Sequence, residues 1–425
     1  MQAIKLGSQC LAAAACTALM AAAAVHAQGT DFTNVQRGRY LAKAGDCISC
    51  HTVKGGKPFA GGYPVETPFG TIFSSNITPD VVTGIGNWSR DDFYRAMHEG
   101  RRKDGQHLYP ACPYPWFTKM PREDVDALKS YLDTLEPVRA RPPENELIWP
   151  LGWRRLVAGW NLLFFDQGEY VKREDKSDVW NRGAYLVEGL GHCAACHTPK
   201  NMLGASDHDK AMQGGDAGEA WYAPSLTGSE RDGLGTWSVN DIVQYLKTGA
   251  NEDTASTGPM TEVVMNSTQH LSNADLAAMA TYLKDIPAHK PEEVKDVDEQ
   301  AMARGKGLYI DQCMGCHMAD GKGQKGAFPP LADSPPIRAS QAQTLIQVVL
   351  AGDFMADPPE LPTGLAMPGF ARKLSDQQVA DVLTYVRNTW GNQAPPVSAD
   401  QVAKVRKALH EYGPRYKRLI SQSAH

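Results

Sequence analysis

The chain has 425 residues, of which 42% are hydrophobic and 21% charged, an ordinary globular composition that leaves room for two to four domains. It excludes a disordered, collagen-like or multispan membrane protein. The formal net charge is -5, from 43 Lys and Arg against 48 Asp and Glu, so there is no basic field to hold a phosphate backbone and no nucleic-acid partner is expected. The nine cysteines are the informative count, because their placement is far from random.

Residues 1–27 read as a cleaved export signal. Lys5 supplies the positive start, Leu11 to Val25 an Ala-rich apolar core, and Val25-His26-Ala27 a small-x-small cleavage site. The core is about 15 residues long, short of the ~20 that a membrane span needs. Cys16 would suit a lipoprotein signal, but Ala13 stands where such signals favour Leu. The expected mature chain begins near Gln28 and keeps seven cysteines.

Residues 28–140 form the first expected domain. It carries Cys47-Ile48-Ser49-Cys50-His51, and the same C-x-x-C-H pattern returns as Cys193-Ala194-Ala195-Cys196-His197 and Cys313-Met314-Gly315-Cys316-His317. This pattern attaches c-type haem. The two thiols of each motif bond to the two vinyl groups of one porphyrin, and the following His (His51, His197, His317) turns its imidazole under the iron. Zinc sites and thioredoxin-like dithiols also use C-x-x-C, but neither requires a His directly after the second Cys. Three covalently bound haem c groups are therefore expected.

A six-coordinate haem needs a second axial group, commonly Met. In domain 1 the stretch where it is expected reads Leu108-Tyr109-Pro110-Ala111-Cys112-Pro113-Tyr114. Three readings stay open: Cys112 thiolate as the ligand, another side chain (Met120, His107 or Met97) in its place, or a five-coordinate iron.

Residues 141–175 form a linker in which Trp149, Trp153, Leu156, Trp160 and Leu163 recur at helical spacing beside Arg154 and Arg155. The stripe suits a membrane interface or packing between domains 1 and 2. Domain 2, residues 176–290, places Met260 as the distal candidate in Gly258-Pro259-Met260. Domain 3, residues 291–392, places Met367 in Ala366-Met367-Pro368-Gly369. Residues 393–425 form a basic amphipathic tail with Val402, Val405 and Leu409 on one face.

The three domains read as repeats. Each expected leading helix opens with Arg-Gly, at Arg37-Gly38, Arg182-Gly183 and Arg304-Gly305. Each closing helix carries Tyr131-Leu132, Tyr282-Leu283 or Tyr385-Val386. Thr83-Gly84-Ile85-Gly86-Asn87-Trp88-Ser89 resembles Asp232-Gly233-Leu234-Gly235-Thr236-Trp237-Ser238, each followed by a helix capped by its Ser. No long stretch alternates as a strand would, so the expected fold is all-α, three tandem class I-like cytochrome c domains.

These motifs resemble those of the triple-haem cytochrome c subunits of membrane-bound bacterial alcohol, aldehyde and gluconate-type dehydrogenases. Pro68-Phe69-Gly70-Thr71-Ile72, Asn76-Ile77-Thr78-Pro79, the run Tyr185 to His192 and Met367-Pro368-Gly369 carry the resemblance as well. It implies a partner dehydrogenase catalytic subunit of flavin, PQQ or molybdenum type. The subunit would pass its electrons to membrane quinone or a downstream cytochrome, on the periplasmic side of the cytoplasmic membrane with peripheral membrane contact. In such relatives Met commonly follows the stretch matching Tyr109-Pro110-Ala111, so Cys112 departs from the pattern. A haem enzyme acting at haem 1, a sulfur-compound oxidoreductase or a peroxidase, is the alternative that Cys112 supports.

Overall fold

The computed structural model describes residues 32–294, 296–362 and 364–420, with side chains described through 410. The expected export signal lies outside the described residues. Three times, a leading helix (32–44, Asp178–Ala184, Glu299–Gln312) crosses a closing helix (Arg122–Leu132, Asn273–Lys284, Asp376–Val386). The Arg-Gly pairs explain the crossing. A Cβ on Gly38, Gly183 or Gly305 would lie 1.9, 1.9 or 2.2 Å from a carbonyl of the closing helix, and each also abuts the Cβ of Tyr131, Tyr282 or Tyr385. Only glycine lets the two backbones meet this closely. The preceding Arg then reaches an Asp of the closing helix: Arg37 to Asp124 at 2.5 Å, Arg182 to Asp275 at 2.8 Å, Arg304 to Asp381 at 2.7 Å. The Arg-Gly pair sits inside the leading helix rather than at its opening, because Ser177 and Asp298 cap the second and third helices several residues earlier.

The middle helices Arg90–Glu99 and Val239–Thr248 begin with full capping boxes, Ser89 with Asp92 and Ser238 with Asp241, as the repeated sequence suggests. Strands are also present. Gly70–Phe73 pairs with Pro64–Thr67 on one side and Glu146–Leu147 on the other, Gly215–Gly218 with Trp221–Ala223, and Gly352–Phe354 with Ala366–Pro368. The all-α expectation is incomplete to that extent. Strands of two to four residues are too short for an alternating pattern to be legible.

Domains 1 and 2 share one apolar core, in which Leu41, Leu128 and Leu132 join Leu186, Leu190, Leu276 and Leu283. Domain 3 has its own, around Tyr309, Ile346, Leu350 and Val379. A reciprocal exchange ties the first two together. Tyr40 donates to Asp275 and Tyr185 to Asp124, each at 2.6 Å, so each domain's Tyr completes the other domain's Arg–Asp pair. In domain 3 the equivalent position is Gly307. A chain ending near residue 290 should therefore fold as a soluble two-haem protein, whereas domain 1 alone should not. Haem quantitation and thermal unfolding of the two fragments check this, and a folded single domain 1 would contradict it.

Burial pushes the Asp275 carboxyl up, but Arg182 and Tyr40 outweigh burial and hold it below the usual carboxylate range. Arg304 does the same for Asp381. Because the folded pKa lies below the unfolded value of ~3.9, this stabilisation is complete above that value and is lost as pH falls through the lower folded pKa. Asp275→Asn should thus flatten the acid-unfolding curve below about pH 4, as followed by circular dichroism.

The tail helix Ala399–Ile420 spends its apolar face on domain 3. Val402 and Val405 are buried in the domain 3 core, Leu409 packs beside them, and Arg406 binds Asp376 at 2.7 Å. Those residues are not free to enter a membrane. The aromatic linker behaves differently. In the helix Leu156–Phe164, Val157 is buried, while Leu156, Leu162 and Leu163 are exposed together with Trp149 and Trp153 upstream. The outer face is thus open, while the other side of the helix bridges the two domains: Asn161 accepts from Tyr114 at 2.6 Å and Trp160 donates to the Leu203 carbonyl at 3.0 Å, so the expected packing between domains 1 and 2 is met on that side. No helix among the described residues is long and apolar enough to cross a membrane.

Candidate haem sites

Each motif forms a single helical turn, Cys47–His51, Ala194–His197 after Cys193, and Met314–His317 after Cys313. One turn sets the two thiols on the same side and swings the His beneath them. The seven described cysteines are all free. Burial pushes the Cys47, Cys50 and Cys193 thiols up to about 12 and Cys313 up to about 11. A redox dithiol needs a depressed thiol pKa, which Cys47, Cys50, Cys193 and Cys313 do not have. Nor, among the described residues, do three or more His, Cys, Asp or Glu side chains converge as a zinc site requires.

All three motif histidines are oriented in the same way. His51 Nδ1 donates to the carbonyl of Ser75 at 2.7 Å, His197 Nδ1 to that of Pro224 at 2.7 Å, and His317 Nδ1 to that of Pro329 at 3.0 Å. A proton fixed on Nδ1 leaves Nε2 unprotonated, the form that binds a metal. Burial also lowers the pKa of each, only partly opposed by the same hydrogen bond, so the neutral ring is favoured. Buried donors without protein partners, among them Trp237 Nε1 and Arg231 Nε and Nη2, fit a group bearing carboxylates. The residues present thus fit haem c.

The distal candidates occupy three different settings. Met260 starts the helix Pro259–Asn266 and packs on the shared core of domains 1 and 2. Met367 lies in the strand Ala366–Pro368, opposite Asp353, and packs on the domain 3 core. Cys112 sits in a turn held by its own N–H to Tyr109 O and by Tyr114 N–H to its carbonyl, at 2.9 and 2.8 Å. Its thiol is close enough to Cys47 and Cys50 for its charge to oppose theirs, and burial pushes it up to about 11. Met120 is fully enclosed in apolar core and Met97 packs against that core. His107 keeps a buried Nδ1 without a protein partner.

The three sites are mechanically joined, which sequence alone did not reveal. Asn266, at the far end of the Met260 helix, donates to Ser49, between the two thiols of motif 1, at 2.9 Å. Gly258, just before that helix, donates to Asp353, the cross-strand partner of Met367, at 2.9 Å. The carbonyl acceptors of the His rings also escaped the sequence reading, because a backbone oxygen carries no residue signature.

Three covalent-attachment turns, each with a metal-ready imidazole, define a multihaem c-type cytochrome. The cytochrome c family model matches residues 35–136, 181–287 and 302–390, and the chain belongs to the cytochrome c family. It is 42% identical over 397 residues to the gluconate 2-dehydrogenase cytochrome c subunit of Pantoea cypripedii, covering 88% of this chain and 89% of that protein. It is 39% identical over 414 residues to the cytochrome c subunit of the quinone alcohol dehydrogenase of Gluconobacter oxydans, covering 92% and 87%. It is 37% identical over 429 residues to the fructose dehydrogenase cytochrome subunit of Gluconobacter japonicus, covering 91% and 87%.

Proposed function

We propose that this chain is the electron-transfer subunit of a dehydrogenase complex, carrying three haem c groups in helical class I-like domains at 28–140, 176–290 and 291–392. The linker 141–175 and the tail 393–425 complete the chain after an export signal at 1–27 is removed. The catalytic subunit oxidises the substrate, and this chain relays its electrons to membrane quinone or a downstream cytochrome on the periplasmic side of the cytoplasmic membrane. The observation that carries the reading is the threefold repetition of a C-x-x-C-H turn with its imidazole oriented through Nδ1. Covalent haem supplies reversible one-electron chemistry, and the residues hold and tune it.

In this reading the axial pairs are His51 with Cys112, His197 with Met260, and His317 with Met367. The proximity of Cys112 to Cys47 and Cys50, near enough for its charge to oppose theirs, supports the first pair. Haem 2 occupies the middle of the relay, since the Met260 helix touches the motif 1 turn at Asn266 and the Met367 hairpin through Gly258.

The exposed apolar helix Leu156–Phe164 supplies the peripheral membrane contact. It has no charged residue, and Tyr109 and Tyr114 on either side of Cys112 hold it to domain 1: Tyr114 donates to Asn161 at 2.6 Å, Tyr109 to the Gly152 carbonyl at 3.0 Å. Apolar side chains entering the acyl boundary beside Arg155 are the pattern of an interfacial helix. The double variant Leu162→Asp, Leu163→Asp should lose vesicle binding and quinone reduction by the purified complex while keeping its reduction of a soluble acceptor. Equal loss of both activities would sink the assignment.

A further inference from the structure

The segments that carry Met260 and Met367 meet across the boundary between domains 2 and 3. Ser256, Thr257 and Gly258 lead into the helix Pro259–Asn266, and the hairpin of Met367 pairs Gly352–Phe354 with Ala366–Pro368. Two main-chain N–H groups bind across this boundary in opposite directions. Gly258 donates to Asp353 Oδ2 at 2.9 Å, and Ala356, two residues beyond the first hairpin strand, donates to Ser256 Oγ at 3.4 Å. Ser256, Asp353 and Ala356 are all buried, and a Cβ on Gly249 would come within 2.5 Å of the Ala356 Cβ, so the contact is close-packed.

Asp353 is the unusual member, because a carboxylate is rarely buried unless its oxygens are satisfied. Its two oxygens serve different domains. Oδ2 accepts from Gly258 of domain 2, while Oδ1 accepts from the Phe354 N–H of its own hairpin at 2.8 Å. Asp353 also stands directly opposite Met367 in the antiparallel pair, so the two side chains leave the same face of the hairpin with Cβ atoms ~5 Å apart. In domain 2, Gly258 has a φ of 49°, and a Cβ there would lie 2.6 Å from the Trp221 ring. The backbone entering the Met260 helix is thus bounded by Trp221 and held by Asp353, two residues before Met260 itself.

We infer that Asp353 is a positioning residue shared by haems 2 and 3, fixing the Met260 and Met367 segments against each other so that both thioethers stay on their irons. The inference rests on the axial pairs proposed above. A thioether is a neutral ligand, and how firmly ferric iron keeps it depends on how far the chain has already fixed it in place. Groups that orient a ligand without touching the metal commonly change its affinity ~10–100-fold when removed. A carboxylate suits the role, because its bonds to N–H groups are shorter and stronger than those of a neutral acceptor. Since one carboxylate holds both segments, its loss should loosen both haems together.

The test is a pH titration of the oxidised, fully loaded holoprotein, following the absorption of the Met-to-ferric-iron charge transfer. As pH rises, hydroxide or a deprotonated amine displaces the thioether, so the pH of loss measures how firmly each Met is held. In Asp353→Asn, whose amide oxygen replaces only one of the two acceptors, the pH of loss should fall by ~1 unit for both haems, which is a tenfold looser ligand. The EPR signal of haem 1 should not move. Glu360→Gln, which breaks only the Lys247–Glu360 pair of 3.6 Å at the rim of the same boundary, should leave the titration unchanged. If Asp353→Asn fails to mature with three haems, Asp353→Ser, which also keeps a single acceptor, is read in the same way. An unchanged pH of loss overturns the inference, as does a fall in only half of the absorption or an equal fall in Glu360→Gln. Raised potentials with the titration unmoved would give Asp353 a field effect alone and overturn it too. If the unaltered protein shows no such absorption, the axial pairs fail and the inference falls with them, before any variant is compared.

Discussion

Replacing Cys112 with Met should raise the midpoint potential of one haem by on the order of 0.3 V, well inside the ~0.8 V that axial ligands command. The reason is charge. A thiolate donates strongly to ferric iron and stabilises it, whereas a neutral thioether favours the ferrous state. Burial pushes the thiol up to about 11, so a thiolate at neutral pH needs a cation beside it, which ferric iron would supply. The oxidised protein should accordingly show one thiolate-type low-spin EPR signal beside two of the His/Met type. Cys112→Met should convert it to three of the latter, and Cys112→Ala should leave a high-spin ferric haem. Three His/Met signals in the unaltered protein would instead assign haem 1 to Met120 or Met97.

The second large effect is a contrast between two glycines two residues apart, on opposite faces of the leading helix of domain 3. Gly305→Ala puts a Cβ 2.2 Å from the Asp381 carbonyl and 2.7 Å from the Tyr385 Cβ, so the two helices must separate. They hold the Arg304–Asp381 pair, in which Asp381 is almost wholly buried, and a loosened crossing strands that carboxylate. Overpacking costs ~1–3 kcal/mol and a broken buried pair ~3–5, so a loss of about 3 kcal/mol or more is expected. Gly307→Ala meets nothing within 4 Å in the middle of the same helix Glu299–Gln312. It should instead stabilise by up to ~1 kcal/mol through helix propensity alone. Thermal unfolding of the two holoproteins reads opposite signs; two losses of equal size would show that the crossing is not what Gly305 serves.

The chemistry of the sites was legible in the sequence, because covalent haem attachment demands particular residue types at fixed local spacing. Cys47, Cys50 and His51, and their counterparts at 193–197 and 313–317, need only one helical turn to come together, and one turn is a property of local sequence. Tandem repetition was legible for the same reason: Arg-Gly and Tyr-Leu recur with each unit. What Arg-Gly does was not, since its partners Asp124, Asp275 and Asp381 lie 77 to 93 residues away. The strands escaped through their brevity, and the tail through its partner: its apolar face could suit lipid or protein, and only domain 3 packed against Val402 and Val405 decides between them.

Sequence by itself thus determined the cofactor class and the number of attachment motifs. Tertiary structure alone decided that domains 1 and 2 share a core and exchange Tyr40 and Tyr185, and that the segment from Gly258 to Asn266 binds both the motif 1 turn and the hairpin that carries Met367. The physical reason is range. Covalent and one-turn constraints act between neighbours in the chain, while packing, pairing and burial act between residues that only the folded chain brings together.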